Sequence, residues 1–313
     1  MSFHLAMSEA TSPAGLVHAS QLWLPGPALM ACVRGIMVRN TVGGVLTDAQ
    51  RVNHFPASPL CSLSWWFAGG AETLVPVPGC TTGTAHDTTL GALGVHCNRV
   101  PLPGRWVLGG PQTRPCASWC PGAVHSLSLM LMPDALHVLT GLVASDLTDR
   151  FLDAEQWLPP DWLALCDAVQ CAADDPARIR CLADFLVPRW QVCRPVQPLK
   201  AHRYADWAAY LAQRAMVSSP GRSLRQLERR IKRWAGLPLR ELQGFGRAER
   251  AFFEVAARQT QGGIQWADVA ADAGFADQAH LCRITKRMTG FSPAELQRGI
   301  ALQEPFWPYR VWV

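Results

Sequence analysis

The first 199 residues of this chain contain not one lysine; 11 Arg stand there against 14 Asp and Glu, a balance of −3. Long apolar runs are absent too. A bilayer-spanning helix needs roughly 18 or more uninterrupted apolar residues, and the longest apolar region, Leu127 to Val143, is broken by Pro133, Asp134 and His137. The opening Met1-Ser2-Phe3-His4-Leu5 lacks a basic segment followed by an apolar core, so no secretory leader is expected and the chain reads as cytoplasmic, without a membrane partner. The eleven cysteines form no CxxC pair. In a reducing compartment they are expected to serve as small core hydrophobes rather than as a disulfide framework. Cys116 and Cys120, four apart with His125 nearby, are a weak metal spacing. No Ser/His/Asp set, phosphate loop or paired-carboxylate motif stands out, and His86-Asp87 is a lone pair in a polar loop. The expectation is therefore of a non-enzyme, with no catalytic residue, cofactor or bound metal assigned.

What is present is positive charge gathered late. Residues 200 to 300 hold 17 basic against 9 acidic residues, a balance of +8, and the tail beyond holds one of each, for a total of +5. A basic third beside a slightly acidic remainder is the pattern expected when one domain meets phosphates and the other does not.

The organising stretch is Ile264 to Leu296. Val269, Ala270 and Ala273 recur at the three- and four-residue spacing of an amphipathic helix. Gly274 stops that helix, and Phe275 behind it can fold back as an apolar plug. Asp277 restarts the chain as an N-cap, which predicts a second helix through Gln278 and Met288 to a stop at Gly290. Leu281, Ile284 and Met288 share one face of it; Gln278, His280, Arg283, Lys286 and Arg287 point away. The pattern is that of a helix-turn-helix with a short support helix behind it.

The same pattern occurs earlier. Adding 54 aligns Leu227 with Leu281, Arg229 with Arg283, Lys232 with Lys286, Arg233 with Arg287, Gly236 with Gly290, Glu241 with Glu295 and Leu242 with Leu296, seven identities in sixteen positions. Ser223 falls opposite the N-cap Asp277, so Ser223 to Trp234 is expected to be a second such helix, preceded by one near Tyr204 to Val217 and by an irregular turn, Ser218-Ser219-Pro220-Gly221-Arg222. A linker helix is expected over Gly246 to Ala257.

Ahead of these units the chain reads differently. Residues 1 to about 20 have no periodicity and are expected to form a loose end. From there to about 130, short apolar runs alternate with Gly and Pro, and the candidate strands are Ala31 to Val38, Cys61 to Phe67, Thr73 to Val77, Trp106 to Gly109 and Val124 to Met132. That spacing favours a β-rich sandwich or barrel. Ala135 to Gly141, Asp161 to Ala172 and Pro176 to Trp190 read as helices, the last with Ile179, Leu182, Ala183 and Leu186 on one face. Pro195-Val196-Gln197-Pro198 reads as a stiff connector. The fold class expected is α+β: a β-rich domain ending in helices over 1–196, an all-α domain with two helix-turn-helix units joined by a linker helix over 197–300, and an aromatic tail over 301–313 that packs back on a domain.

Ala273 to Leu281, with Arg283, Lys286-Arg287, Thr289-Gly290-Phe291-Ser292-Pro293 and Glu295-Leu296, resembles the second helix-turn-helix of AraC/XylS-type transcription regulators. The repeat and the linker helix resemble the rest of that DNA-binding domain, and His54-Phe55-Pro56 with Ser64-Trp65-Trp66-Phe67 resembles domains that precede it. Thr285 stands where the family usually has Phe, and the first unit lacks the Ala-Gly-Phe turn. The resemblance implies double-stranded DNA as partner, contact with RNA polymerase, and an N-terminal domain that senses a small-molecule effector or forms a homodimer. Matched to family positions, Arg225, Arg229, Gln278, His280 and Arg283 would face bases, because a guanidinium fork fits guanine and a carboxamide fits adenine. Lys232, Arg233, Lys286 and Arg287, a turn further on, would grip phosphates. Two other readings stand beside this one. One is a DNA alkylation-repair protein with a zinc site drawn from Cys80, His96, Cys97, Cys116, Cys120 and His125. The other is a degenerate helix-turn-helix that binds protein.

Overall fold

The computed structural model describes residues 2–6, 20–76, 97–194, 203–218, 223–259 and 263–313. Its described strands, in chain order, are β1 (Phe3–Leu5), β2 (Ser20–Pro25), β3 (Val33–Asn40), β4 (Val52–Phe55), β5 (Cys61–Ala68), β6 (Glu72–Pro76), β7 (Cys97–Pro101), β8 (Trp106–Gly109), β9 (Cys116–Trp119), β10 (His125–Leu131) and β11 (Phe151–Asp153). The described helices are α1 (Pro133–Thr140), α2 (Ala144–Leu147), α3 (Ala154–Trp157), α4 (Pro160–Cys171), α5 (Asp175–Cys193), α6 (Tyr204–Val217), α7 (Leu224–Ala235), α8 (Leu239–Gln259), α9 (Trp266–Asp272), α10 (Gln278–Thr289), α11 (Pro293–Leu302) and α12 (Trp307–Arg310). The class is α+β, as expected.

Strand β10 organises the larger sheet. Its alternation puts Leu127, Leu129 and Leu131 on one face, all fully buried, and Ser126, Ser128 and Met130 on the other. It pairs antiparallel with β3 and with β5, and the sheet extends in the order β1-β2-β3-β10-β5-β8-β11. Leu63 and Trp65 of β5 lie opposite Leu129 and Leu127. Trp65 donates its indole N–H to the Cys166 carbonyl at 3.2 Å, which fastens α4 to this face. The second sheet runs β4-β9-β6-β7. The candidate strands all fall on observed ones, except that Val77 lies outside the described residues. The loose end is partly corrected: Phe3–Leu5 pairs antiparallel with β2 because Phe3, 6% exposed, has a core to reach. The connector at 195–198 and the first-unit turn at 219–222 lie outside the described residues.

The β-rich part and the C-terminal helices share an interface held by buried polar pairs. Arg34 of β3 meets Glu249 of α8 at 2.7 Å, with both side chains under 10% exposed. Asp134 at the start of α1 accepts from the Trp207 indole at 3.0 Å and from Arg214 at 3.2 Å, both on α6. Burial pushes the Asp134 carboxyl up from its ordinary range, while Trp207 and Arg214 pull it back. The tail packs back as expected. Glu304 pairs with Arg39 at 2.6 Å, Trp307 donates to the Asn53 side chain at 2.7 Å, and Trp312 lies under the Arg34 guanidinium. His54 of β4 packs against Phe291 and Phe306, each ring 5.1 Å away, and burial lowers its pKa to about 4.

Between the two sheets lies a half-open cavity of about 370 Å³, lined on its other side by α8, α10 and the tail. Ser62, Ser64 and Ser128 line its floor, since the polar face of β5 and β10 turns inward there.

Candidate nucleic-acid interface

Local chemistry builds the second unit as its sequence demands. Val269, Ala270 and Ala273 are buried, and Gly274 takes φ +79°. The Phe275 N–H reaches the Ala270 carbonyl at 2.8 Å and the Gly274 N–H reaches Ala271 at 3.1 Å, the two bonds of a Schellman stop, with Phe275 buried as its plug. Asp277 then accepts the His280 N–H at 2.6 Å, and α10 runs on to Gly290, which takes φ +85° and donates to the Lys286 carbonyl at 2.8 Å. Leu281 and Met288 are buried. Gln278, Arg283, Lys286 and Arg287 are exposed.

The first unit repeats this geometry at the same offset. The Ser223 hydroxyl accepts the Gln226 N–H at 3.3 Å, Ile231 and Ala235 are buried, and Gly236 takes φ +76° with its N–H on the Lys232 carbonyl at 2.8 Å. Each N-cap of this kind contributes about 1 kcal/mol to holding its helix. Arg225, Arg229 and Lys232 follow four- and three-residue spacing on the face opposite Leu227 and Ile231, and with Arg233 all are exposed. Thus seven cations, Arg225, Arg229, Lys232, Arg233, Arg283, Lys286 and Arg287, lie exposed on two like helices. Among the described residues none of the seven is in an ion pair.

His280 is placed differently from the others. It is half-buried, its ring is edge-on to Phe275 at 5.3 Å, and its Nδ1 accepts the Ala276 N–H at 3.5 Å, so it braces the turn. Thr285 is half-buried and lines the cavity wall rather than filling it.

Two positioning contacts escape the sequence pattern. The second unit closes with a capping box, Glu295 accepting from the Ser292 N–H at 2.8 Å. The first has Pro238 at the equivalent place, and Glu228 of α7 instead accepts the Leu239 N–H at 3.3 Å, so the recognition helix itself caps the helix that follows. That helix, α8, begins at Leu239 rather than near Gly246, because the support helix of the first unit runs directly into the linker. Gly246 lies inside it, where an added Cβ would come within 2.9 Å of the Ala205 backbone; glycine allows α6 and α8 to touch. At its far end Arg258 pairs with Glu254 at 2.8 Å and with Asp272, fastening the linker to α9. The four-residue spacing of Glu254 and Arg258 is a sequence signal for the pair within α8, and the bond to Asp272 has none.

Among the described residues no three His, Cys, Asp or Glu side chains are grouped to hold an ion. Cys80 and His96 lie outside those residues, His125 is engaged with Asp175 at 3.0 Å, and burial raises the Cys116 thiol to about 11. No described helix is long and apolar enough to cross a membrane.

Residues 217–299 match the family described as a helix-turn-helix domain. The class is thus set by the repeated unit, and residues 217–299 form a helix-turn-helix domain of the AraC type. No curated protein matches the chain. Among solved structures it is similar to ToxT from Vibrio cholerae O395, at 12% identity and a TM-score of 0.33, covering 78% of this chain and 92% of that one. The unsaturated fatty acid-bound ToxT of Vibrio cholerae strain SCE256 gives 11% and 0.32, with 79% and 94% covered. The AraC-like transcriptional activator CuxR gives 10% and 0.18, with 91% and 80% covered. The domain supports reading the chain as a DNA-binding transcription regulator.

Proposed function

We infer that this chain is a sequence-specific regulator whose helices α7 and α10 enter successive major grooves, about 34 Å apart, on one face of a duplex. The observation that carries this reading is the repeated set of seven exposed cations outside any described ion pair. Unpaired cations on a helix face raise the local positive potential and release counterions when they meet phosphates. Arg225, Arg229, Gln278 and Arg283 are the base readers in this reading; Lys232, Arg233, Lys286 and Arg287 hold the backbone. His280 supports the turn from which Gln278 and Arg283 project.

In the same reading residues 1–196 form the sensing or dimerising part, 197–300 the DNA-binding part and 301–313 a tail that joins them, with RNA polymerase as a further partner. The effector occupies the cavity between the sheets. Because α8 and α10 line that cavity, an occupant touches the linker helix and the back of one of the two DNA-facing helices directly. Mapping bound sites across the genome, followed by footprinting of one of them, tests the reading. Two protected patches on one face of the duplex are expected, with affinity falling steeply as salt rises. A flat salt response, or a single patch, refutes it.

A further inference from the structure

The walls of the cavity define the chemistry of what it holds. Met37, Trp66, Met130, Phe245, Phe252 and Leu281 make most of its lining apolar. Among the described residues that line it, Arg34 and Glu249 are the only side chains of fixed charge, and they neutralise one another at 2.7 Å. Glu249 is held further by the Tyr204 N–H at 2.7 Å, and the Arg34 guanidinium is flanked by the Tyr204 and Trp312 rings at 5.3 and 5.0 Å. A ligand carboxylate would have to displace a tethered carboxylate that is already satisfied, or lie in apolar surroundings without a counter-ion, which strongly disfavours a charge. The floor is different. The Ser64 and Ser128 hydroxyls bond one another at 2.8 Å, and whichever of the two accepts keeps its own proton to offer. We propose that the cavity binds an uncharged, mainly apolar molecule bearing a hydroxyl or carbonyl group, and discriminates against the corresponding carboxylate. This rests on the reading of the cavity as the effector site.

The test compares matched pairs on the full-length protein at pH 7.5: dodecanol against dodecanoate and naphthol against naphthoate, each below its aggregation threshold. Binding is followed by calorimetry and by the fluorescence of the tryptophans, of which Trp66, Trp266 and Trp312 line the cavity. The neutral member of at least one pair is expected to bind at least tenfold more tightly than its acid. In Glu249→Gln, which releases Arg34 from its anion, the acid should gain at least tenfold. Acids that bind the wild-type protein as well as the alcohols overturn the proposed selectivity while leaving the effector cavity standing. If neither member of either pair binds, the cavity reading itself falls, and the proposal with it. The wild-type comparison decides even if the variant does not fold.

Discussion

Removing the Glu304 carboxylate should unfasten the tail from the β-rich part at a measurable cost. Glu304 is fully buried and Arg39 nearly so, with side chains 0% and 3% exposed and 2.6 Å between them. Arg39 also donates to the Ser20 hydroxyl at 2.9 Å and stacks over Trp307 at 5.2 Å, so it cannot swing into water without disturbing β2 and the tail together. Burial already pulls the Arg39 pKa down, and Glu304 is what holds it up. In Glu304→Ala the guanidinium keeps its desolvation penalty and loses its anion. Such a break costs about 3–5 kcal/mol. For a chain of this length that corresponds to roughly 5–8 °C in Tm. Urea denaturation followed by tryptophan fluorescence measures it. Arg39→Met combined with Glu304→Leu should recover most of the loss, because two apolar groups leave no charge stranded. A loss below about 1 kcal/mol in Glu304→Ala, or a double variant worse than the single, would refute the view that this pair closes the interface.

Three further outcomes follow from the same structure. Arg283→Ala should weaken binding to a specific site by roughly 1–3 kcal/mol, whereas Lys286→Ala should weaken all sequences alike and flatten the salt slope by about one unit; equal behaviour of the two in binding titrations would abolish the division into readers and grippers. His54, lowered to about 4 from its ordinary 6.5, stabilises the fold as a neutral ring. Its contribution is complete above pH 6.5 and is lost as the pH falls towards 4, by at most roughly 3 kcal/mol; urea midpoints at pH 7.5 and 4.5 should differ less in His54→Gln than in the wild type. Gly236 and Gly290 share the left-handed conformation, yet a Cβ at Gly236 would meet Thr148 and the Ala144 carbonyl within 3.0 Å, whereas one at Gly290 has nothing closer than 3.9 Å. Gly290→Ala should therefore cost about 1–2 kcal/mol, and Gly236→Ala distinctly more, as read from their denaturation midpoints.

The elements legible in the sequence were those whose signals are local. Both recognition helices were bounded by their own caps, Ser223 and Asp277 at one end, Gly236 and Gly290 at the other. Strand β10 announced itself by alternation. Strands β4 and β9 did not: each is four residues long, and they exist because Val52–Phe55 finds Cys116–Trp119 more than 60 positions away. The linker helix begins seven residues ahead of its expected start at Gly246, and Gly246 inside it serves contact with Ala205. The pairs that join the two parts, Arg34 with Glu249 and Arg39 with Glu304, are separated by 215 and 265 positions, and no spacing rule reaches so far. Of the candidate DNA-facing residues, all but His280 are exposed. His280 is harder to place because an imidazole at the third position of a helix can serve a turn as well as a ligand.

The unbroken course of α8 has a bearing on promoter architecture. Its 21 residues make a stiff spacer about 30 Å long, bolted to α9 by Arg258 and to α7 by Glu228. A rod so anchored cannot stretch to follow its target. One base pair inserted between the two half-sites would move one of them by about 3.4 Å and turn it by roughly 35° around the duplex. The helix would then face sugar and phosphate where it had faced a groove. On the proposed two-groove reading, regulation by this chain would accordingly be phased, rejecting a change in the length of its operator.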